Sequence, residues 1–305
     1  MNRAEATDSG AKQPGLGIII KILIAVIAWG GSFVATKIAL RDAQPVTIVW
    51  IRFGIGVLVL GAAVIGRRQF KLPSLRDLAN FAMIGAIGIT FHQWLQSTGL
   101  QTARASTSAW IVASTPIFMA LLGWIFFKEN LKFRQVAGIF LAAFGVVLVV
   151  SQGDFNSLAL GQLSSPGDLL ILISAPNWAV FSALSRDGLR RYPAALMMLF
   201  VMAFGWLFTT VLFAAGPGFA DIANLTRDGW LAVLFLGVIC SGLAYIFWYD
   251  ALQALPSAQV GVFLYIEPVV TVIVAGIILG EPLITALLAG GAIILLGVWL
   301  VNRRA

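Results

Sequence analysis

Long apolar stretches alternate with short polar connections over almost the whole chain. An apolar run of about 20 residues spans a bilayer core of roughly 30 Å as a helix. The pattern therefore predicts an all-α membrane protein with ten transmembrane helices: Leu16–Thr36, Pro45–Gly66, Asp77–Thr98, Ala105–Phe127, Phe133–Val150, Gly167–Leu184, Pro193–Ala215, Asp228–Tyr249, Ala258–Leu279 and Leu283–Val301. The two longest connections, Ser151–Pro166 and Gly216–Arg227, are rich in Gly, Pro, Ser and Asp and read as surface loops.

The pattern also repeats. At an ungapped offset of 152 residues, Gly85 matches Gly237, Leu100 matches Leu252, Gln101 matches Gln253, Pro116 matches Pro268, Glu129 matches Glu281, Gly138 matches Gly290 and Gly145 matches Gly297. Each half holds five segments. An odd count makes the second half enter the membrane in the opposite orientation, so the expected architecture is two inverted five-helix repeats. The predicted organisation is a tail over 1–15, a first repeat over 16–150, an outer linker over 151–166 and a second repeat over 167–302. At a slightly shorter offset, Ala28-Trp29-Gly30 lies opposite Asn177-Trp178-Ala179, near the middle of helices 1 and 6.

Composition narrows the class. Hydrophobic residues make up 60% of the chain and charged residues 11%, which excludes an ordinary soluble domain. A net charge of +7 does not read as nucleic-acid binding, because the bases sit in short loops between apolar runs. With the N-terminus inside, fifteen of the 20 Lys and Arg fall at cytoplasmic ends. Only Lys37, Arg41, Arg104 and Arg227 fall outside, and Arg52 lies within helix 2. The asymmetry predicts that both termini are cytoplasmic. Arg3 and Lys12 precede the first run as in a signal peptide, but no small-x-small site follows, so a retained first helix is expected. Cys240 is the single cysteine, which excludes an internal disulfide and a cysteine metal cluster. Nucleotide-binding, zinc-protease and nucleophile-elbow motifs are absent, so no catalytic function, metal or cofactor is expected.

Polar groups at membrane depth are costly and each needs a reason. On helix 3, His92 and Gln96 share a stripe at helical spacing with Gly85, Ile89 and Gly99, and Gln93 lies alongside. His92 reads either as a site-lining group or as an imidazole satisfied by a nearby carbonyl. Tyr245 on helix 8 aligns with Gln93 and is equally a binding phenol or a packed one; Trp248 and Tyr249 read as an interfacial belt. Helix 4 offers Trp110 and Ser114 before Pro116, and helix 9 offers Tyr265 and Glu267 before Pro268. These prolines, with Pro176 beside Asn177 and Trp178 in helix 6, predict kinks that free backbone carbonyls at depth, for a cavity or for packing alone. Trp29 and Trp178 are expected to flank a central cavity. Glu267 must be protonated, paired or wetted. Its readings are a structural ion pair, with Arg52 the favoured partner over Lys37 or His92, and a site for a substrate ammonium or a proton. Glu129 and Glu281, at helix ends, read as determinants of loop geometry.

Several stretches resemble the EamA-type family of the drug/metabolite transporter superfamily. IAWGGSFVATKIAL resembles the family's opening Trp-Gly pattern with its trailing Lys, and VTIVWIRFGIGVLVL its Arg-Phe early in helix 2. PIFMALLGWIFFKENL and EPVVTVIVAGIILGEPLI resemble its Pro…Glu pattern before helices 5 and 10. The resemblance covers the chain from about Gly17 to Arg304. It implies ten helices, with helices 1–4 and 6–9 around a central cavity and 5 and 10 peripheral. It also implies export of amino acids or other metabolites, the YddG-type exporters of aromatic and other neutral amino acids being the nearest functional model. A cavity walled by Trp, Tyr and Phe with few fixed charges suits zwitterions bearing apolar side chains. The expectation is thus a monomeric secondary transporter of a bacterial inner membrane, with a small-molecule substrate and the lipid bilayer as partners. An exporter of a different metabolite or drug class is the alternative; a membrane-embedded enzyme or a structural subunit fits the residues poorly.

Overall fold

The computed structural model describes residues 15–128, 131–156, 165–255 and 257–302. Glu129 lies outside them, as does nearly all of the predicted tail. The described residues form helical runs α1 (Leu16–Ala39), α2 (Pro45–Gly66), α3 (75–102), α4 (105–127), α5 (Phe133–Val150), α6 (Pro166–Arg191), α7 (Ala194–Ala215), α8 (Arg227–Ala254), α9 (257–278) and α10 (Thr285–Asn302), with a short helix Phe219–Ala223 before α8. Nine of these runs are long and apolar enough to cross a membrane. The exception is α3, which is long enough, but His92, Gln93 and Gln96 lower its hydropathy. With no water to bond exposed amides, a chain in lipid must satisfy its backbone internally, and helices do so. Side chains mark the starts. Ser74, Ser165 and Thr226 accept from the backbone amides of Asp77, Gly167 and Gly229, and Pro45 and Pro166 occupy first helical positions, where a missing N–H costs nothing.

Helix contacts are symmetric under exchange of α1–α5 for α6–α10. α1 packs on α8 and α9, as α6 packs on α3 and α4; α2 packs on α8 as α7 packs on α3; α2 meets α7, α4 meets α9 and α5 meets α10. The α5–α10 contact is built on the repeated glycines. Gly138 abuts the carbonyl of Gly297 and Gly145 that of Gly290, so these two helices run antiparallel, and a β-carbon at any of the four would strike backbone. Both α3 and α8 carry a π-helical stretch, at Ala86–Phe91 and Phe235–Leu243, in matching places of the two halves.

Polar ties gather at the helix ends. At one end Lys21 and Arg67 bind Asp250, both at 2.7 Å, and Tyr192 donates to Asp77 at 2.6 Å. That hydrogen bond holds the Tyr192 phenol above the usual tyrosine range. At the other end Asp221 accepts from the Gln44 amide and the Thr47 hydroxyl, and Asp42 accepts from Thr226. The starts of α1 and α3 and the ends of α2, α6 and α8 thus share one end of the bundle. The end of α1 and the starts of α2 and α8 share the other.

Candidate functional site

Between the two polar ends α1 packs on α8, and α3 on α6. Two aromatic contacts lie there, each joining one half to the other. Trp29 of α1 packs edge-on against Tyr245 of α8, with ring centroids 5.6 Å apart. Trp178 of α6 packs against His92 of α3, with centroids 4.9 Å apart. Both tryptophans are half-buried, whereas Tyr245 and His92 are buried. Each Trp is fixed from behind. Trp29 donates its indole N–H to the Cys240 carbonyl at 3.1 Å, and Trp178 rests on Phe181.

The π-helical stretches explain how polar groups are tolerated here. A π turn widens the helix and misaligns a carbonyl, leaving it open to another donor. The Ile87 carbonyl in the α3 stretch accepts from Asn177 Nδ2 at 3.0 Å, and the Cys240 carbonyl in the α8 stretch accepts from Trp29. Asn177, beside Pro176 in α6, thus serves a neighbouring helix rather than its own. Pro176 lies inside a continuous α6. Pro116 follows a turn at Ala113 and Ser114 that divides α4, and Pro268 follows the 3-10 turn Phe263–Tyr265 in α9.

Arg52 is buried in α2 at 6% exposure. It does not pair with Glu267, as the sequence suggested. Its Nε donates to Ser241 Oγ and its Nη1 to Gln93 Oε1, both at 3.1 Å, and the guanidinium lies over the Phe53 ring. Glu267 is half-buried where α9 crosses α1: its own carbonyl faces Gly30 and accepts from the Thr271 hydroxyl at 3.0 Å. No side chain among the described residues pairs with its carboxylate.

Other sequence candidates go elsewhere. Trp110 is buried against Gly291 of α10, in packing between α4 and the periphery rather than with the other tryptophans. The Ser114 hydroxyl donates to the Ile111 carbonyl and is satisfied within its own turn. The Tyr265 hydroxyl accepts from Asn302 at 2.7 Å, which directs the ring toward the end of α10. Gln96 is half-buried, one turn beyond His92. Trp248 and Tyr249 do not form a surface belt. Trp248 packs on Trp29 at 5.2 Å and the buried Tyr249 bonds Met198 Sδ, because both project inward from α8.

Two polar side chains, Lys37 and Glu281, close helix ends. Lys37, at the end of α1, donates to the carbonyls of Leu100 and Ala103, which close α3 and carry the negative end of its dipole. Gly280, at φ 66°, turns the chain after α9 so that Glu281 reaches the start of α4. There its carboxylate accepts from the amides of Ala105 and Ser106, at 2.8 and 3.0 Å, and from the Ser106 hydroxyl. Glu281 therefore sets loop geometry, as expected for it.

A model of the EamA-like transporter family matches residues 16–151 and again 165–303. The chain belongs to the EamA-like transporter family. As an EamA-like transporter it is a multi-pass membrane protein, with apolar helices to match. It is 29% identical over 283 residues to an uncharacterized transporter of Archaeoglobus fulgidus, covering 93% of this chain and 96% of that one. It is 28% identical to the transporter YyaM of Bacillus subtilis, covering 93% and 92%. It is 26% identical over 284 residues to a probable terminal-alkyne amino-acid exporter of Streptantibioticus cattleyicolor, again covering 93% and 92%. A solved crystal structure shares the fold at a TM-score of 0.65 and 21% identity, covering 93% of this chain and 95% of that one.

Proposed function

We propose that this EamA-like transporter exports amino acids, aromatic or other neutral ones, or similarly small amphipathic metabolites, by alternating access through a cavity at the bilayer midplane. The observation that carries the reading is the matched pair of aromatic contacts, Trp29 with Tyr245 and Trp178 with His92, at the middles of four helices from both halves. Flat rings beside sparse polar groups suit a ligand that is apolar at one end and polar at the other. The relative named as a probable amino-acid exporter supports the substrate class. The symmetric contact pattern, the antiparallel α5 and α10, and the helix ends gathered at opposite sides support ten spans in two inverted repeats, α3 included. Rocking of one repeat against the other would then expose the site to each side in turn. In this reading the protein sits as a monomer in a bacterial inner membrane with both termini in the cytoplasm.

The test is uptake and counterflow in liposomes containing only the purified protein, with labelled neutral amino acids, acidic and basic amino acids, and a set of hydrophobic drugs. Saturable movement of neutral amino acids, blocked by an excess of the unlabelled compound, is the expected result. Movement of drugs alone would replace the substrate class. Movement of nothing in the panel, beside an active control transporter, would remove the reading.

A further inference from the structure

Among the described residues, two groups of opposite sign at membrane depth, Arg52 and Glu267, have no counter-charge. Arg52 spends Nε and Nη1 on two neutral side chains, Ser241 and Gln93, and no described residue partners its Nη2. No described residue donates to the Glu267 carboxylate. His92 Nδ1 and Trp110 Nε1 are enclosed without a partner among the described residues, whereas Glu267 is only half-buried. A buried charge left unpaired is costly. A fold that keeps two of opposite sign and still does not join them holds them apart.

The two charges flank one structure. Arg52 reaches α8 from α2 through Ser241, and Glu267 comes from α9, where it crosses α1 beside Trp29. Both lie within electrostatic reach of the same two α8 side chains, Cys240 and Tyr245. Trp29 sits on this element too, bonded to the Cys240 carbonyl and packed on the Tyr245 ring.

We infer that Arg52 and Glu267 are the two poles of a binding site for a dipolar ion, Arg52 taking its carboxylate and Glu267 its ammonium, with the apolar side chain of the ligand against Trp29 and Tyr245. This rests on the transporter reading above and narrows it: the substrate carries both a free amine and a free acid. A guanidinium with an unused N–H edge is shaped for a carboxylate. An ammonium offers the three donors that the Glu267 oxygens lack. A ligand with one charge completes one pole and strands the other, so amines and acids are rejected by the charge left unpaired rather than by shape. The assignment also accounts for Gln93 and Ser241. Neutral partners orient the guanidinium without consuming its charge, which a carboxylate in either place would do.

The test compares L-phenylalanine with 2-phenylethylamine and 3-phenylpropanoate, and L-leucine with isopentylamine and 4-methylpentanoate, as competitors and as labelled solutes in liposomes. The wild type is expected to move the amino acids and to be inhibited at least about 30-fold more weakly by the amines and acids, the factor set by stranding one buried charge. Glu267→Gln should weaken the amino acid by that factor and leave the acid unchanged or improved; Arg52→Gln should do the reverse, favouring the amine. Thermal unfolding of each variant in detergent separates loss of binding from loss of fold. Arg52→Lys and Glu267→Asp, which keep charge, should recover part of the ligand-induced stabilisation. Movement of amine, acid and amino acid alike by the wild type would overturn the two poles while leaving the transporter reading intact. So would folded variants that lose all three ligands equally. Movement of drugs but of none of these six compounds would overturn both the substrate class and the poles.

Discussion

Arg52 Nη1 donates to the side-chain oxygen of Gln93, 3.1 Å away, and this bond to a neutral partner, with that of Nε to Ser241, orients a buried cation. Removing it by Gln93→Leu leaves a guanidinium nitrogen without its acceptor, a loss of about 1–3 kcal/mol for a buried polar group and more for a charged one. The variant is expected to melt several degrees lower in detergent. Gln93→Glu keeps an acceptor and should retain the fold, but its carboxylate would neutralise Arg52 and reduce transport. Melting of Gln93→Leu at the wild-type temperature would mean that water replaces the amide without cost.

The glycines of α5 and α10 give a second prediction, independent of the substrate. Gly138 lies against the carbonyl of Gly297, with no room for a β-carbon. Gly138→Ala must separate the helices or strain them, which costs about 1–3 kcal/mol as overpacking. Gly66 has nothing within 4 Å of the same position, so Gly66→Ala serves as the neutral control. Equal melting temperatures for both variants would show that α5 and α10 slide apart freely. These helices pack at the periphery, so Gly138→Ala is expected to affect stability before it affects substrate preference.

These two contacts also show what the sequence did and did not reveal. Gly138, Gly145, Gly290 and Gly297 were visible as repeats because close backbone approach admits one residue type, and a residue constrained in that way keeps its register in both halves. Trp29 and Trp178 were visible for a related reason: a large ring at the middle of an apolar helix is conspicuous, and its half-exposed position follows. Arg52 was not legible. A charged group at depth requires partners, and sequence supplied a carboxylate, Glu267, as the obvious one. The actual partners are Gln93 and Ser241, which carry no charge to advertise them. Trp110 misled for the opposite reason. Its place beside polar residues suggested a cavity, but the gap left by Gly291 on α10 accommodates the ring, and no local pattern records which neighbour a helix face meets. The π turns of α3 and α8 were equally invisible, since their carbonyls are freed by geometry and not by proline.

Orientation in the membrane is testable without knowing the substrate. From the fifteen basic residues at one set of ends we expect Lys71 in the cytoplasm and Asn156, beyond α5, outside. Both residues are exposed. In a Cys240→Ser background, Asn156→Cys is expected to react with an impermeant thiol reagent on intact cells, and Lys71→Cys only after the membrane is opened. Cys240 is buried and donates to the Ala28 carbonyl, so its replacement by serine, which also donates, should leave the fold in place. Labelling of Lys71→Cys on intact cells with Asn156→Cys protected would invert the assignment.

The last prediction separates a binding wall from a packed one. Trp29 and Trp178 are half-buried while the groups they touch, Tyr245 and His92, are buried. A half-buried ring keeps part of its surface free of protein. If the free face meets the ligand, Trp29→Ala enlarges the site on the side where the apolar end of the ligand rests, and Trp178→Ala does so across from it. Each variant should then favour bulkier amino acids over smaller ones, a shift of about 10-fold or more in relative half-saturation, since one or two methylenes in an apolar pocket are worth about 1–3 kcal/mol. Trp29→Phe should shift the preference less than Trp29→Ala, because most of the ring remains. The Trp29 indole also bonds the Cys240 carbonyl, so a stability loss is expected from both substitutions at that position, and the comparison has to be made per folded molecule. Preferences that stay constant across amino acids of different size, with activity falling only in proportion to folded protein, would identify both rings as packing and move the site toward Glu267 and the start of α9.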